Sequence, residues 1–357
     1  MLAVLVVATP CPLILATPVA IIGGINRAAR GGILFRTGGA LEQLARVDAV
    51  AFDKTGTITV GRPAVAGVRV ADGWSADDVL RLAAAVEQSS GHLLARSVVD
   101  AAQAAGLSRA TATAVTDAPG RGVSGTVDGR LVSVGAAAWI AERHPSAVAG
   151  LAELDGRSDR LAAAVAIDGA AAGFIDYADQ LRPNIGEVLA RLAALGVGRV
   201  LLISGDATGV VASVARAVGI RDARGDLLPA DKVAVVEGLQ TEGRRVLMVG
   251  DGVNDAPALA AAEVGVAMAG HGEGITAEAA DVVLLSDDLS LVPSAVETSR
   301  RTIRIARESI VVGLGLSAVA MGFAAAGYIA PAVGALLQEG IDVVVILNAL
   351  RTAADRP

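Results

Sequence analysis

The chain has 357 residues, enough for two or three domains of ordinary size. Hydrophobic residues make up 53% and aromatics 2%, so Ala, Val, Leu and Gly carry the burial, and the apolar share is high for a purely soluble protein. A net charge of −7 with no Lys/Arg-rich run excludes attraction to nucleic acid, and the single Cys11 excludes an intrachain disulfide or a Cys-x-x-Cys metal site.

Residues 1 to 26, MLAVLVVATPCPLILATPVAIIGGIN, carry no charged side chain. About 20 such residues cross a bilayer, so a membrane segment is predicted over roughly residues 2 to 25. A secretory signal is the rival reading, but it wants a basic start and a small-residue cleavage site, and Pro10, Pro12 and Pro18 sit badly in its core. Proline inside a spanning helix frees backbone carbonyls, so Thr9, Pro10, Cys11 and Pro12 offer a hydroxyl, a thiolate and unwound backbone to a cation.

The stretch VAFDKTGTITVGRP, residues 50 to 63, ends an apolar run in an acid, a lysine and a Gly-containing loop. A carboxylate where a buried strand meets such a loop is held still beside amides that bind anions, which makes Asp53 a candidate phosphate acceptor. From about 64 to 173 the texture changes. A helical piece, SADDVLRLAAAVEQSSGHLLARSVVDAAQAAG, is followed by period-two stretches such as VSGTVDGRLVSVG with an Asp128-Gly129 hairpin signal, and this region reads as a separate insert. GRGVSG at 120 to 125 satisfies Gly-x-Gly-x-x-Gly but precedes a strand-like run, so no dinucleotide site is predicted there.

Beyond the insert, RVLLISGDATGVVASVARAVGI (199 to 220) and RRVLMVGDGVNDAPALAAAEVGVAM (244 to 268) each read strand, polar loop, helix, the rhythm of a parallel sheet. The run ending in Asp53 fits as a further strand. Three strand ends then bring acidic loops to one carboxyl edge, where ligands bind in open α/β sheets. Carboxylates gathered there repel unless a cation joins them, and hard oxygen ligands suit Mg²⁺ on a substrate phosphate. Lys232 is placed to neutralise the remaining phosphoryl charge.

Residues 309 to 338 are again free of charge, and the run reaches Leu350 with only Glu339 and Asp342 interrupting it. AAGYIAPAVG supplies a turn, so two further spans are predicted over 309 to 328 and 331 to 350. Arg27, Arg30 and Arg36, then Arg300, Arg301, Arg304 and Arg307, then Arg351 all flank the same side, which the positive-inside rule assigns to the cytoplasm. Glu339 and Asp342 lie three apart, on one expected helix face, and intramembrane charges are functional by default. Asn348 falls on a similar face, where it either joins them or bonds another helix.

The motifs DKTGT (53 to 57), SGD (204 to 206), PADK (229 to 232), GDGVNDAPAL (250 to 259) and TPCPL (9 to 13) occur in order, and over nearly its whole length the chain resembles the heavy-metal-translocating P-type ATPases of the haloacid-dehalogenase superfamily. The resemblance implies an α/β fold: a Rossmann-like phosphorylation domain (27–63 and 174–300) with an α+β nucleotide-binding insert (64–173). Transmembrane helices flank it, one with the proline-cysteine motif (1–26) and two at the end (301–352). It implies ATP and Mg²⁺ as cofactors, Asp53 as the residue phosphorylated, and Mg²⁺ held by Asp53, the Thr55 carbonyl and Asp251. Lys54, Thr57, Gly205 and Asp206 complete the loops, Ser204 and Lys232 hold phosphoryl oxygens, and Asn254 and Asp255 position the loop and metal. In related phosphatases an acid stands where Thr55 does here, so the acyl phosphate is expected to persist.

ATP contacts are carried over to Glu87, His92, Gly120 and Gly122, and ion contacts to Thr9, Cys11, Glu339 and Asp342. Four departures stand out. Ser204 replaces a usual Thr, His92-Leu93 replaces His-Pro, Gly91 replaces an acid, and Thr-Pro-Cys replaces the Cys-Pro-Cys of copper and zinc or cadmium pumps. One soft ligand beside hard oxygens leans toward a borderline divalent ion (cobalt, nickel, iron or zinc) over Cu(I). The Thr-Gly-Glu loop of the actuator domain does not occur in the sequence. The expectation is a partial pump in the cell membrane, multi-pass with its catalytic loop cytoplasmic, that phosphorylates Asp53 but transports nothing alone, its actuator and remaining helices on a separate chain or cut off by gene prediction. A membrane-tethered phosphatase and a non-catalytic remnant or partner subunit are the alternatives.

Overall fold

A computed structural model describes residues 2–8, 11–154, 161–251, 253–268 and 278–354. They form two compact units, Met1–Ile58 with Arg182–Pro357, and Thr59–Leu181. In chain order come helices α1 (Leu2–Val7) and α2 (Cys11–Arg30), strand β1 (Ile33–Phe35), helix α3 (Gly38–Leu44) and strand β2 (Ala49–Asp53). The smaller unit contributes β3 (Thr59–Val70), α4 (Ala76–Glu87), α5 (Leu93–Ala104), β4 (Ala112–Ala118), β5 (Gly122–Val127), β6 (Arg130–Gly135), α6 (Ala137–Arg143), α7 (Val148–Leu154), β7 (Ala162–Ile167) and β8 (Ala170–Leu181). The chain returns through α8 (Ile185–Ala194), β9 (Arg199–Ile203), α9 (Thr208–Val218), β10 (Asp222–Arg224), α10 (Pro229–Thr241), β11 (Val246–Gly250), α11 (Ala256–Ala261), β12 (Val264–Met268) and β13 (Val282–Leu284), and ends in two long helices, Leu291–Ala325 and Pro331–Ala349.

The larger unit is built on a seven-stranded sheet in the order β1-β13-β12-β11-β2-β9-β10, parallel except for β1. Strand period two splits its core: Val50 and Phe52 pack on one face with Val188, Leu192 and Val211, while Ala49 and Ala51 pack on the other with Val236, Leu239 and Leu259. β2 lies between β11 and β9, so the loops after all three emerge side by side at one edge. The expected strand-loop-helix units are thus present at 199 to 218 and 246 to 261.

The smaller unit is a six-stranded antiparallel sheet, β3-β8-β7-β6-β5-β4. One core joins it to α4 and α5 through Val79, Val86 and Val98, and another gathers Trp139, Ile140 and Leu151 against Phe174. Its ends lie at Thr59 and Leu181, beyond the expected 64 and 173, because β3 and β8 pair from Thr59↔Leu181 to Val70↔Gly173, with register shifts between Thr59 and Pro63 and between Val65 and Gly67. The single helical piece expected here is two helices, since His92 caps the start of α5 after Ser-Ser-Gly, residues of low helix propensity. The Asp128-Gly129 hairpin forms between β5 and β6, with both residues at positive φ (51° and 78°).

Among the described residues two helices are long and apolar enough to span a membrane, Leu291–Ala325 and the last helix taken to Thr352. Their outward faces carry Val311, Val319, Phe323, Leu336 and Leu347, each more than half exposed. The first helix starts 18 residues before the apolar run at 309, and its initial turns place Val292, Ala295 and Val296 in the core of the larger unit. The third expected span, residues 2 to 25, forms α1 and α2, with Thr9 and Pro10 between them outside the described residues. α2 packs on both long helices, with Ala16 against Ile341 and Val345, and Ala20 against Ala306 and Ala349.

Arg69 grips the Asp176 carboxylate with two hydrogen bonds, 2.8 and 2.7 Å, in the smaller unit, and Asp176 is buried. Removing one partner of such a pair strands the other. Arg69→Met is expected to cost the smaller unit about 3 kcal/mol or more in chemical denaturation. Arg69→Met/Asp176→Leu is expected to recover most of that loss.

Candidate functional site

Asp53 ends β2 as its last, fully enclosed residue, 5% exposed. Lys232 reaches it from α10. Pro229 opens that helix and Asp231 accepts the Leu228 amide at 2.9 Å, which sets the register that turns Lys232 inward. The Lys232 Nζ lies 2.6 Å from Asp53 Oδ1 and 2.6 Å from Asp255 Oδ1, and all three side chains are buried. Asp251, immediately after β11, brings a third carboxylate, and oxygens of Asp53, Asp251 and Asp255 lie within 4.8 Å of one another.

Two of these carboxylates share one buried ammonium, and the third stands beside them. Burial first, then the charge of Asp255, push the Asp53 carboxyl up to about 7 against the opposing pull of Lys232, with Asp251 adding to the rise. A small hard divalent cation relieves this repulsion, and three close carboxylate oxygens are a donor set that fits Mg²⁺. Gly56, at φ 72°, is the loop residue under Asp251, where a Cβ would land on that carboxylate. Glycine is demanded there twice, by conformation and by space.

Lys54 crosses to the neighbouring loop, its Nζ 2.6 Å from Asp206 Oδ2, and so ties the loop after β2 to the loop after β9. In that second loop the Asp206 amide donates to the buried Ser204 hydroxyl at 3.2 Å, and Gly205 is exposed. Thr55 and Asn254 are exposed. The Thr57 hydroxyl is buried with no hydrogen-bond partner, a cost that a bound oxyanion would remove.

Sequence reasoning missed Arg182. Its buried guanidinium donates to the Thr57 carbonyl (2.7 Å), the Gly56 carbonyl (2.8 Å) and the Asp287 carbonyl (3.0 Å), and it pairs with the Asp287 carboxylate. In a trans peptide the C=O and the following N–H point opposite ways. Holding the Gly56 and Thr57 carbonyls on one side therefore turns the Thr57 and Ile58 amides to the other.

In the smaller unit Glu87 is buried at the end of α4, and burial followed by the charge of Asp117 pushes its carboxyl up to about 7. Tyr177 is buried nearby with its hydroxyl unpartnered, and its pKa is held high by burial and by Glu87. His92 is exposed and its Nδ1 accepts the Leu94 amide, so one ring nitrogen is already in use as a helix cap. Gly120 has φ 71° and open space around it. Gly122 has another reason to be small: a Cβ there would strike the Trp139 ring and the Val134 carbonyl.

The expected ion ligands are described only in part. Thr9 lies outside the described residues, as does the side chain of Cys11, which opens α2. The last helix buries a narrow stripe, Gly334, Gln338, Ile341, Val345 and Ala349. Asp342 flanks that stripe and accepts from Gln338 at 3.2 Å, but Glu339 stands about 100° round from Gln338 and is exposed. Three positions apart on one continuous helix, Glu339 and Asp342 keep the expected common face, with Asp342 at the edge of the packed stripe. Asn348 bonds Ser309 of the neighbouring long helix at 2.7 Å, the helix-joining role. Among the described residues, Asp53, Asp251 and Asp255 are the one set of three acids, histidines or cysteines close enough to share an ion.

Two outcomes are expected from this geometry. Arg182→Met should weaken binding of beryllofluoride, a phosphoryl mimic, at least tenfold by calorimetry, with nucleotide affinity unchanged. Glu87 holds a proton in the native state that the unfolded chain releases from about pH 4.5 upward, so it costs stability as pH rises toward 7. Glu87→Gln is expected to stabilise the smaller unit by about 3 kcal/mol at pH 8 and to have no effect near pH 4, read from unfolding midpoints.

A haloacid dehalogenase-like hydrolase model matches residues 47–263. A copper-exporting P-type ATPase of Mycobacterium tuberculosis is 42% identical over 352 residues, covering 98% of this chain and 45% of that protein. A manganese-exporting P-type ATPase of Mycobacterium leprae is 38% identical over 98% of this chain and 49% of its own length. The crystal structure of a zinc-transporting PIB-type ATPase in an E2.Pi state superposes with a TM-score of 0.84 at 38% identity, over 98% of this chain and 57% of that one. The chain thus spans about half the length of the curated relatives it matches. With the buried acid-lysine site at the sheet edge and the apolar helices beside it, these likenesses lead to one conclusion: the chain belongs to the haloacid dehalogenase-like hydrolases and, among them, to the heavy-metal P-type ATPases.

Proposed function

We propose that the chain is the catalytic and C-terminal membrane part of an ATP-driven heavy-metal exporter that works through phosphorylation of Asp53. The observation that carries this reading is the double ion pair of Lys232 with Asp53 and Asp255, 2.6 Å each, beside Asp251. Lys232 occupies Asp53 Oδ1, which leaves Oδ2 to attack the γ-phosphorus of ATP. The new O–P bond forms as the bond from phosphorus to the β–γ bridging oxygen breaks, and ADP leaves with that electron pair. Lys232, the Thr57 hydroxyl, Ser204 and the loop amides set by Arg182 stabilise the transferring oxygens. Asp53, the Thr55 carbonyl and Asp251 would hold Mg²⁺, which offsets phosphoryl charge when bound. Thr55 brings no acid to activate water, so the acyl phosphate persists.

Glu87, His92, Gly120 and Gly122 form the proposed nucleotide site of the smaller unit, with His92 contacting ATP through the nitrogen its cap leaves over. Relatives that export copper or manganese, and one that transports zinc, support a heavy-metal cargo. The Thr-Pro-Cys motif favours a borderline divalent ion, held by Thr9 and Cys11 with Asp342 and Glu339 along its path. The arginine flanks favour a cytoplasmic side for the catalytic units of a multi-pass membrane protein.

Incubation with γ-labelled ATP and Mg²⁺ tests the reading. An acid-stable, hydroxylamine-sensitive adduct is expected, lost in Asp53→Asn and reduced at least a hundredfold in Lys232→Ala. Label that survives in Asp53→Asn would sink the assignment.

A further inference from the structure

The turn that opens the Leu291–Ala325 helix reaches the phosphorylation loop through a single guanidinium group. Buried Arg182 takes up three consecutive carbonyls of the loop after β2: its side chain donates to Gly56 (2.8 Å) and Thr57 (2.7 Å), and its amide donates to Ile58 (3.0 Å). Peptide planes are rigid, so the Thr57 and Ile58 amides are turned with the carbonyls that precede them. Carbonyl oxygens carry only partial charge. A buried guanidinium also needs a full countercharge, because an ion withdrawn from water and left unpaired is expensive. Among the described residues one carboxylate is bonded to it, that of Asp287, whose main-chain carbonyl accepts a further Arg182 N–H at 3.0 Å.

The neighbouring acid is already engaged. Asp288 accepts from the Ser290 amide (2.9 Å), the Ser290 hydroxyl (2.8 Å) and the Asn184 side chain (3.2 Å), and it feels the charge of Arg182 without a bond to it. Those bonds hold the turn that leads into the long helix at Leu291, so Asp287 is presented to Arg182 from a fixed base. Its own side chain is 35% exposed, at the outer end of this line of contacts.

We propose that Asp287 is a positioning residue for the phosphoryl site: its carboxylate holds Arg182, and through Arg182 it fixes the direction in which the Thr57 and Ile58 amides meet the transferring oxygens. The proposal rests on the reading of Asp53 as the residue phosphorylated. Without the Asp287 carboxylate the guanidinium turns toward water, and the loop carbonyls are released with it. An acid that merely steadied the start of the long helix would act whether or not Arg182 were present.

A double-variant cycle on the full chain in detergent separates the two roles. Beryllofluoride binding is read by calorimetry with Mg²⁺ present, and amide exchange of residues 54 to 58 is read by mass spectrometry with no ligand added. Asp287→Ala is expected to weaken beryllofluoride binding about tenfold and to speed the exchange about tenfold, with nucleotide affinity unchanged. In an Arg182→Met background the same change is expected to do neither, because the group through which it acts is gone. Asp287→Asn keeps an acceptor without the charge and should lose about threefold. Glu297→Gln, which removes a surface carboxylate from the same helix, should leave both readings as they are. Unaltered beryllofluoride affinity in Asp287→Ala overturns the proposal, as does an equal loss in the native and Arg182→Met backgrounds. Should Asp287→Ala fail to fold, Asp287→Asn decides by the same cycle, with its loss expected in the native background and absent beside Arg182→Met. A native chain that binds no beryllofluoride would instead refute phosphorylation at Asp53 and take the proposal with it, a result distinct from native-like binding by Asp287→Ala.

Discussion

The larger unit is organised around one ammonium group. Lys232 sits between Asp53 and Asp255, with all three side chains withdrawn from water. A buried carboxylate is tolerated when a partner of opposite charge is held at hydrogen-bond distance, and here one lysine serves two. The arrangement demands that β2, α10 and the turn after β11 be fixed relative to one another, because a shift of an ångström in any of them would leave an acid unpaired. The cores on the two sheet faces supply that stiffness, and Asp251 adds a further carboxylate beside the pair.

Much of this was legible in the sequence because strand ends are local events. A short continuous apolar run closing in Asp-Lys-Thr-Gly, or in Gly-Asp-Gly, states both a strand and the loop after it, and parallel pairing then gathers such loops at one edge. Pro229, Asp231 and Lys232 are likewise readable together, as helix start, cap and inward-facing charge. The insert was recognisable by its change of texture. Its limits were not, because whether Thr59 to Pro63 and Phe174 to Leu181 belong to one sheet or the other depends on the mutual pairing of β3 and β8, which no local pattern encodes.

The residues that escaped sequence reasoning act through the main chain or through tertiary packing. Arg182 was invisible because its partners are carbonyls about 125 positions away, and carbonyls carry no side-chain signature. Gly122 looked like a gap left for a ligand, and its neighbours show that Trp139 also requires it. Glu339 and Asp342 satisfied helical spacing, yet spacing only says that two residues are near each other on a cylinder. Which part of the cylinder is covered is decided by neighbouring helices, and the packed stripe running through Gln338 and Ile341 takes Asp342 toward the bundle and leaves Glu339 outside it.

The Leu291–Ala325 helix is rooted at one end among the side chains that back the β-sheet and is bare and apolar at the other. At 1.5 Å per residue it is about 50 Å long, and the one proline within it, Pro293, falls in the first turn, where no hydrogen bond is lost. A rod of that length acts as a lever arm. A tilt of about 5° at its seat sweeps the far tip through about 4 Å, close to the rise of one helical turn. Mechanical gain of that order needs no hinge, only a foundation that turns slightly.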